Sequence, residues 1–75
     1  MTGYTDRVRI LLNGEPYDTA EPLTVLELLE RLGIDARQVA VEHNRIVVKR
    51  ARYPETRIAD GAEVEIVAFV GGGGS

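Results

Sequence analysis

The clearest chemical feature of the chain is a run of four glycines, Gly71, Gly72, Gly73 and Gly74, before the terminal Ser75. Glycine has no β-carbon, so such a segment can pass through a slot too narrow for other residues. Extended, five residues reach about 17 Å and could present a carboxylate to a site in another protein. We therefore predict a folded domain over residues 1–70 and a flexible arm over residues 71–75. The competing interpretation is a plain flexible linker.

The other residues offer little for catalysis within one chain. There is no Cys, which excludes a disulfide, a thiolate metal site and a cysteine nucleophile. The single histidine, His43, cannot form a histidine metal cluster or supply a complete Ser/His/Asp triad, and we place it at a hairpin turn. We expect a protein that is not itself an enzyme and that binds neither a metal nor a cofactor.

Size and composition indicate one small globular domain. The chain has 75 residues, of which 44% are hydrophobic and 28% charged. No apolar run approaches the roughly 18 residues that a membrane span needs, and residues 1–9 lack the hydrophobic region of a signal peptide. We expect a soluble cytoplasmic protein with no membrane association.

Charge is distributed unevenly along the chain. Residues 43–57 contain five basic residues and one acidic residue, net +4, whereas the whole chain has a net charge of −3. The segment contains one aromatic residue, Tyr53, and no nucleic-acid-binding motif. We interpret it as a solvated face or a protein-docking surface and expect no nucleic-acid partner.

Local signals predict a hairpin followed by a helix. Residues 7–12 begin with alternating polar and apolar side chains, and Asn13-Gly14 suits a type I′ turn into a second strand over residues 15–20. Thr24 and Glu27 have the spacing of a capping box, and Gly33 is placed to end the helix. Between them, four apolar residues share one helical face: Val25, Leu28, Leu29 and Leu32.

The second half of the chain is predicted to be mostly strand. Residues 39–41 and 46–48 flank a turn, residues 51–58 read as a loop with one short helical turn, and residues 63–70 form the last strand. One helix with four or five strands predicts an α+β domain, with the helix on one face of a mixed sheet. The β-grasp is the commonest small fold of this order. The sheet residues expected to face the helix are Val8, Ile10, Leu12, Val64, Ile66, Ala68 and Val70.

This arrangement leaves Leu11, Val67 and Phe69 on the open face of the sheet, with Val67 and Phe69 nearest the arm. Exposed apolar residues beside a functional segment indicate a docking patch for a partner. The alternative is a set of scattered surface hydrophobic residues. Tyr4, Tyr17 and Tyr53 are predicted to lie at the surface or at the rim of the core.

Several segments together resemble the ThiS family of thiamine-biosynthesis sulfur carriers. They are LNGE (12–15), TVLELL (24–29), VAVEHNRIVV (39–48), RYPETRIADGAEVEIV (52–67) and FVGGG (69–73). The resemblance covers roughly residues 7–73. It implies a ubiquitin-like β-grasp carrier whose terminal glycine is the chemical site, here Gly73 or Gly74.

The family's chemistry implies three partners. An E1-like adenylating enzyme uses ATP and Mg to activate the terminal carboxylate, a sulfur donor such as a cysteine desulfurase converts it into a thiocarboxylate, and thiazole synthase takes the sulfur. Family members normally end on the second or third glycine, whereas this chain continues to Ser75. Either Ser75 is removed, or it is not native, or this chain differs from the family at this point.

Three other functions are compatible with the sequence. A ubiquitin-like protein modifier would share the fold, the glycine arm and the adenylation step. The small subunit of molybdopterin synthase is a related carrier that typically ends in two glycines. A β-grasp module that binds RNA or a ligand would use residues 45–57 as its site and the glycines as a linker.

Overall fold

The first two strands, β1 (Val8–Leu12) and β2 (Glu15–Thr19), form an antiparallel hairpin in the computed structural model, which describes residues 7–69. At the turn, Asn13 has a φ of 51° and Gly14 a φ of 85°. Both values are left-handed, as a type I′ turn requires, so the predicted hairpin is confirmed. The predicted arm, Val70 and Tyr4 lie outside the described residues.

A two-residue strand, β3 (Leu23–Thr24), leads directly into the helix α1 (Val25–Leu32). The Thr24 hydroxyl accepts a hydrogen bond from the Glu27 amide at 3.1 Å, and the Glu27 carboxylate accepts one from the Thr24 amide at 2.9 Å. This is the predicted capping box. Gly33, with a φ of 72°, ends the helix as predicted. An isolated helix of eight residues is unstable in water, so α1 depends on packing against the sheet.

After the helix come β4 (Val39–His43), β5 (Ile46–Val48), the two-residue β6 (Arg57–Ile58) and β7 (Glu63–Ala68). The main sheet has five strands in the order β2-β1-β7-β4-β5. β1 and β7 run parallel, and the other neighbours run antiparallel. The mixed sheet with one main helix, and hence the α+β β-grasp fold, is confirmed. Within residues 7–69 no helix is long and apolar enough to cross a membrane.

The core contains one residue that was predicted to lie at the surface. Tyr53 is only 2% exposed, and its hydroxyl donates to the Val39 carbonyl at 3.4 Å. Its segment folds against the start of α1, where the Leu26 amide donates to the Tyr53 carbonyl at 3.1 Å and the Val25 amide to the Thr56 carbonyl at 2.9 Å. The other core residues are Val8, Ile10, Leu23, Val25, Leu28, Leu29, Val39, Val41, Ile58, Ala62 and Val64.

The last strand is shorter than predicted and its end is not covered. Ala68 pairs with buried Val39 and shares a face with Val64 and Ile66, yet it is exposed, so its predicted place in the core is wrong. An eight-residue helix is about 12 Å long, whereas a six-residue strand spans about 20 Å. The helix therefore leaves the end of β7 open to solvent.

Two asparagines in the hairpin turns bind the backbone of β7 from either side. The Asn13 side-chain oxygen accepts from the Ile66 amide at 2.7 Å, and the Asn13 amide donates to the Val64 carbonyl at 2.8 Å. The Asn44 side-chain oxygen accepts from the Glu63 amide at 2.9 Å. Asn44 also has a positive φ, of 53°. Asparagine suits both tasks, because it tolerates the left-handed region and carries an acceptor.

We expect Asn13→Gly to lower the free energy of unfolding by about 1 kcal/mol, the net value of one hydrogen bond. Glycine also adopts a positive φ, so this substitution removes the side-chain acceptor without straining the turn. Asn13→Asp keeps the acceptor and serves as the matched control. Urea unfolding of the three proteins measures the difference. Equal stability of Asn13→Gly and the parent would show that the bond to Ile66 contributes nothing.

Asp35 caps the 3₁₀ turn Ala36–Gln38 that leads into β4. Its carboxylate accepts from the Arg37 guanidinium at 2.9 and 3.1 Å and from the Arg37 amide at 2.9 Å. The guanidinium, followed by the backbone amide, lowers the pKa of Asp35 from 3.8 to about 2. Because the folded state favours the carboxylate, its contribution to stability is present above pH 4 and is lost as the pH falls towards 2.

We therefore expect the Asp35 carboxyl carbon to titrate near pH 2 in an NMR experiment on the folded protein. Arg37→Met should move the midpoint upwards, because it removes the first cause of the shift and leaves the backbone donor and the charge of Arg50. A midpoint that does not move in Arg37→Met would assign the shift to another group. Asp35→Asn should weaken the dependence of stability on pH between about 4 and 2.

Candidate functional site

The face of the sheet opposite α1 carries the three residues predicted to form a docking patch. Leu11 is 41% exposed, Val67 58% and Phe69 62%. Leu11 and Val67 alternate along their strands with residues that face the helix, so their predicted assignment to the open face is confirmed. Phe69 is exposed just past the end of β7, and its assignment to the open face stays a prediction. Their role in docking stays a prediction.

The strand register divides these residues into two groups. Leu11 pairs with Glu63, four residues before Val67 on β7, which corresponds to a separation of about 13 Å along the strand. Val67 pairs with Ala40 at the other end, and Phe69 follows it. We name Val67 and Phe69 the tail-end pair. Leu11 instead lines a separate depression with Pro16 and Gly61 at the opposite end of the sheet.

Between Leu11 and the tail-end pair the open face is acidic. Glu42 on β4 lies directly opposite Glu65 on β7. Like charges in this position repel each other, and burying them without a counter-charge is costly. The nearby Glu63 has a partner, because its carboxylate lies 3.5 Å from the Arg45 guanidinium. A protein that covers this face must therefore place basic groups against Glu42 and Glu65.

The last described residue, Phe69, shows where the predicted arm leaves the sheet. Its amide donates to the Gln38 carbonyl at 2.9 Å, which extends the pairing with the β4 side one residue past β7. Phe69 lines a shallow depression of about 270 Å³ with Arg37 and Arg50. The same depression is lined by Val39, Val48 and Tyr53, which pack in or against the core. The exit of the arm is thus apolar and bordered by two guanidinium groups. Gly71, Gly72, Gly73 and Gly74 lie outside the described residues.

Sequence reasoning did not identify the two most exposed of the large apolar side chains. Ile46 is 70% exposed and Val47 67%, both on β5.

His43 ends β4 beside the turn and does not lie in it, and its Nε2 atom is covered without a hydrogen-bond partner in the described chain. Among residues 7–69 no group of three or more acidic or histidine side chains is arranged to hold a metal ion.

Comparisons with known proteins point to one family. The model of the ThiS family matches residues 10–73. The sulfur carrier protein ThiS of Thermus thermophilus is 38% identical over 64 residues, which cover 85% of this chain and 98% of that protein. A crystal structure of the thiamine biosynthesis protein ThiS from Geobacter metallireducens superposes with a TM-score of 0.78 at 39% identity, covering 88% of this chain and all of that one.

Two longer relatives are thiazole synthases. The protein from Paramagnetospirillum magneticum is 42% identical over 66 residues, and the one from Magnetococcus marinus is 39% identical over 66 residues. The matched region is 88% of this chain in both cases. The chain spans about a fifth of the length of these two proteins, since the match covers 20% of each.

We expect Phe69→Glu to weaken binding to an activating enzyme or to a thiazole synthase by at least about ten-fold, because a partner would bury the new charge unpaired. Its effect on the free energy of unfolding should stay within about 0.5 kcal/mol, as for other exposed residues. Titration calorimetry and urea unfolding measure the two effects.

Leu11→Glu and Ile46→Glu are the matched controls for this measurement. Leu11 tests whether the partner reaches across the acidic centre, and Ile46 is equally apolar but lies on the other side of the sheet. Unchanged affinity for both partners in Phe69→Glu would make Phe69 an ordinary surface residue. Loss of affinity in Ile46→Glu alone would place the docking surface elsewhere.

Proposed function

The chain belongs to the ThiS family, and we propose that it is a sulfur carrier of thiamine biosynthesis that acts through its C-terminal carboxylate. The observation that carries the proposal is the family match over residues 10–73, which includes Gly71, Gly72 and Gly73 as well as the folded domain. The protein would act as a co-substrate of other enzymes and would not be a catalyst itself. Residues 1–70 would be the part that is recognised, and residues 71–75 the part that reacts.

The proposed chemistry begins with activation, because a carboxylate is a poor electrophile. An E1-like adenylating enzyme would join the terminal carboxylate to AMP from magnesium-bound ATP, releasing pyrophosphate. The outer sulfur of a persulfide on a donor protein such as a cysteine desulfurase would then attack the acyl-adenylate and release AMP. A thiol would reduce the resulting acyl disulfide and leave a thiocarboxylate on Gly73 or Gly74. ATP and magnesium would belong to the activating enzyme. The chain contains no Cys, so in this scheme it would carry sulfur only at its terminus.

Two relatives support thiazole synthase as the acceptor of the sulfur. Both are named thiazole synthase. The region that matches this chain is 42% identical in one and 39% in the other, and it makes up 20% of each polypeptide. Two modules joined in one chain meet at a high effective concentration, which favours a transfer that requires direct contact. We propose that the same contact between carrier and synthase serves the transfer in this protein.

The geometry of the open face suits a carrier that is handed between enzymes. The tail-end pair would form the apolar contact next to the arm, and basic groups of the partner would lie against Glu42 and Glu65. From there an extended arm of five residues reaches about 17 Å into the partner's site. Docking on a rigid sheet fixes where the arm begins, and its glycines allow it to enter a narrow channel.

The proposal predicts which terminus is reactive. Chains ending at Gly73 or Gly74 should support ATP–pyrophosphate exchange by the activating enzyme, whereas the chain ending at Ser75 should do so poorly or not at all. Acyl transfer needs the reacting atoms within about 3–3.5 Å, and a slot shaped for glycine would hold a larger terminal residue away from that position. The exchange rate of labelled pyrophosphate, measured with each of the three chains, tests this.

Gly74→Ala in the chain ending at residue 74 is the control, since it should reproduce the defect caused by Ser75. Rapid exchange with the full chain would contradict the proposed glycine terminus. Absence of exchange with all three chains would overturn the carrier proposal and favour a binding module. A protein modifier would instead attach its activated terminus to a lysine amine, whereas a sulfur carrier exchanges one terminal oxygen for sulfur. The intact mass of the product distinguishes these two outcomes.

A further inference from the structure

The edge strand β5 has features that neither the arm nor the tail-end pair explains. It is the last strand of the sheet and, within the described part of the chain, it pairs only with β4. Exposed edges invite pairing with another chain, and proteins usually protect them. Here Ile46 and Val47, the most exposed of the large apolar residues, both lie on this edge, at 70% and 67% exposure.

The hairpin geometry shows which backbone groups of β5 are available. His43 pairs with Ile46 across a two-residue turn formed by Asn44 and Arg45, both with positive φ. In such a hairpin the residues next to the turn bond to each other, and the following residue points its amide and carbonyl away. Val47 therefore presents one donor and one acceptor to the outside of the sheet.

A cleft lies beside this edge on the side of the sheet that faces the helix. It has a volume of about 560 Å³ and is lined by His43, Ile46, Val48, Arg52 and Thr56. One wall is the apolar side of β5, and the other is the segment that follows it. His43 lines the inner end of the cleft, at the start of the hairpin turn.

The charge around the cleft indicates the sign of the charge that a partner should carry. Residues 43–57 have a net charge of +4. Arg45 and Arg52 are paired with acidic residues, whereas Lys49, Arg50 and Arg57 form no ion pair within residues 7–69. Arg45 and Lys49 bracket β5 at its two ends. An antiparallel pair of two copies of β5 centred on Val47 would bring Arg45 against Lys49, so pairing with a second copy is disfavoured.

We propose that β5 and its cleft bind an extended acidic segment of a partner protein, which adds to the sheet as a further strand. Its backbone bonds to the outward groups of Val47. Aliphatic side chains on one side of the segment cover Ile46 and Val48, and acidic side chains on the other lie within reach of Arg45 and Lys49. The segment is thus one in which acidic and aliphatic residues alternate.

This surface adjoins the one proposed for sulfur transfer. β5 lies two strands away from β7, or about 10 Å across the sheet. Val47 lies opposite Glu42 on the open face, and Val48 lines one depression together with Phe69. A segment bound at β5 leaves Val67 uncovered. The proposal for β5 stands whether or not the proposed chemistry is right.

The test uses the full chain, labelled with nitrogen-15, and the capped peptide Glu-Val-Asp-Val-Glu-Val-Asp as the probe. Its matched control replaces each acidic residue by lysine. We expect the acidic peptide to shift the amide resonances of residues 46–48 and the ring of His43, with half-saturation at or below about 1 mM. Val47→Pro removes the outward donor at an edge position that tolerates proline, and should weaken binding at least about ten-fold.

Val47→Thr keeps the donor and the branched shape and should bind within about three-fold of the parent, whereas Lys49→Glu should weaken binding about five-fold or more. Thermal unfolding checks that each variant is folded. The proposal is overturned if the lysine peptide binds as well as the acidic one, if Lys49→Glu and Val47→Pro bind normally, or if the shifts map to Val67 and Phe69. Preferential binding of single-stranded oligouridine at β5 overturns the proposal in favour of an RNA partner. A dimer that Val47→Pro abolishes overturns it in favour of a second copy of the chain.

Discussion

The position of β7 is the constraint on which the rest of the structure depends. It is the last strand within residues 7–69 but lies in the middle of the sheet, parallel to β1 on one side and antiparallel to β4 on the other. The turn asparagines Asn13 and Asn44 each add side-chain bonds to its backbone. The chain therefore leaves the domain from an interior strand, and the start of the proposed arm has a fixed position and direction.

The features that could be predicted from the sequence are those whose cause is local. The Asn13-Gly14 turn needs two positive φ values, and the capping box and Gly33 fix the ends of α1. The burial of Tyr53 could not be predicted, because it depends on long-range hydrogen bonds between its segment and the start of α1, which no local pattern indicates. The exposure of Ala68 likewise depends on how far the helix extends over the sheet.

The same distinction applies to the candidate site. Alternation along β1 and β7 was sufficient to place Leu11 and Val67 on the open face, whereas Phe69 lies past the end of β7. Alternation could not show that Leu11 is remote from the other two, because that follows from the register between the strands. Nor could it show that Ile46 and Val47 are exposed. An apolar run of this length is typical of a buried strand, and only the strand order makes β5 an edge.

The central place of a C-terminal strand also has a consequence for synthesis. While the ribosome still holds the last residues, β1 and β4 lack the strand that joins them, and the most distant contacts of the fold cannot form. Folding is thus delayed until translation of β7 is finished. A chain that is cut short before β7 lacks the strand that joins the two hairpins as well as the glycines that follow it. Truncation before β7 therefore removes the central pairing of the sheet and the glycines together.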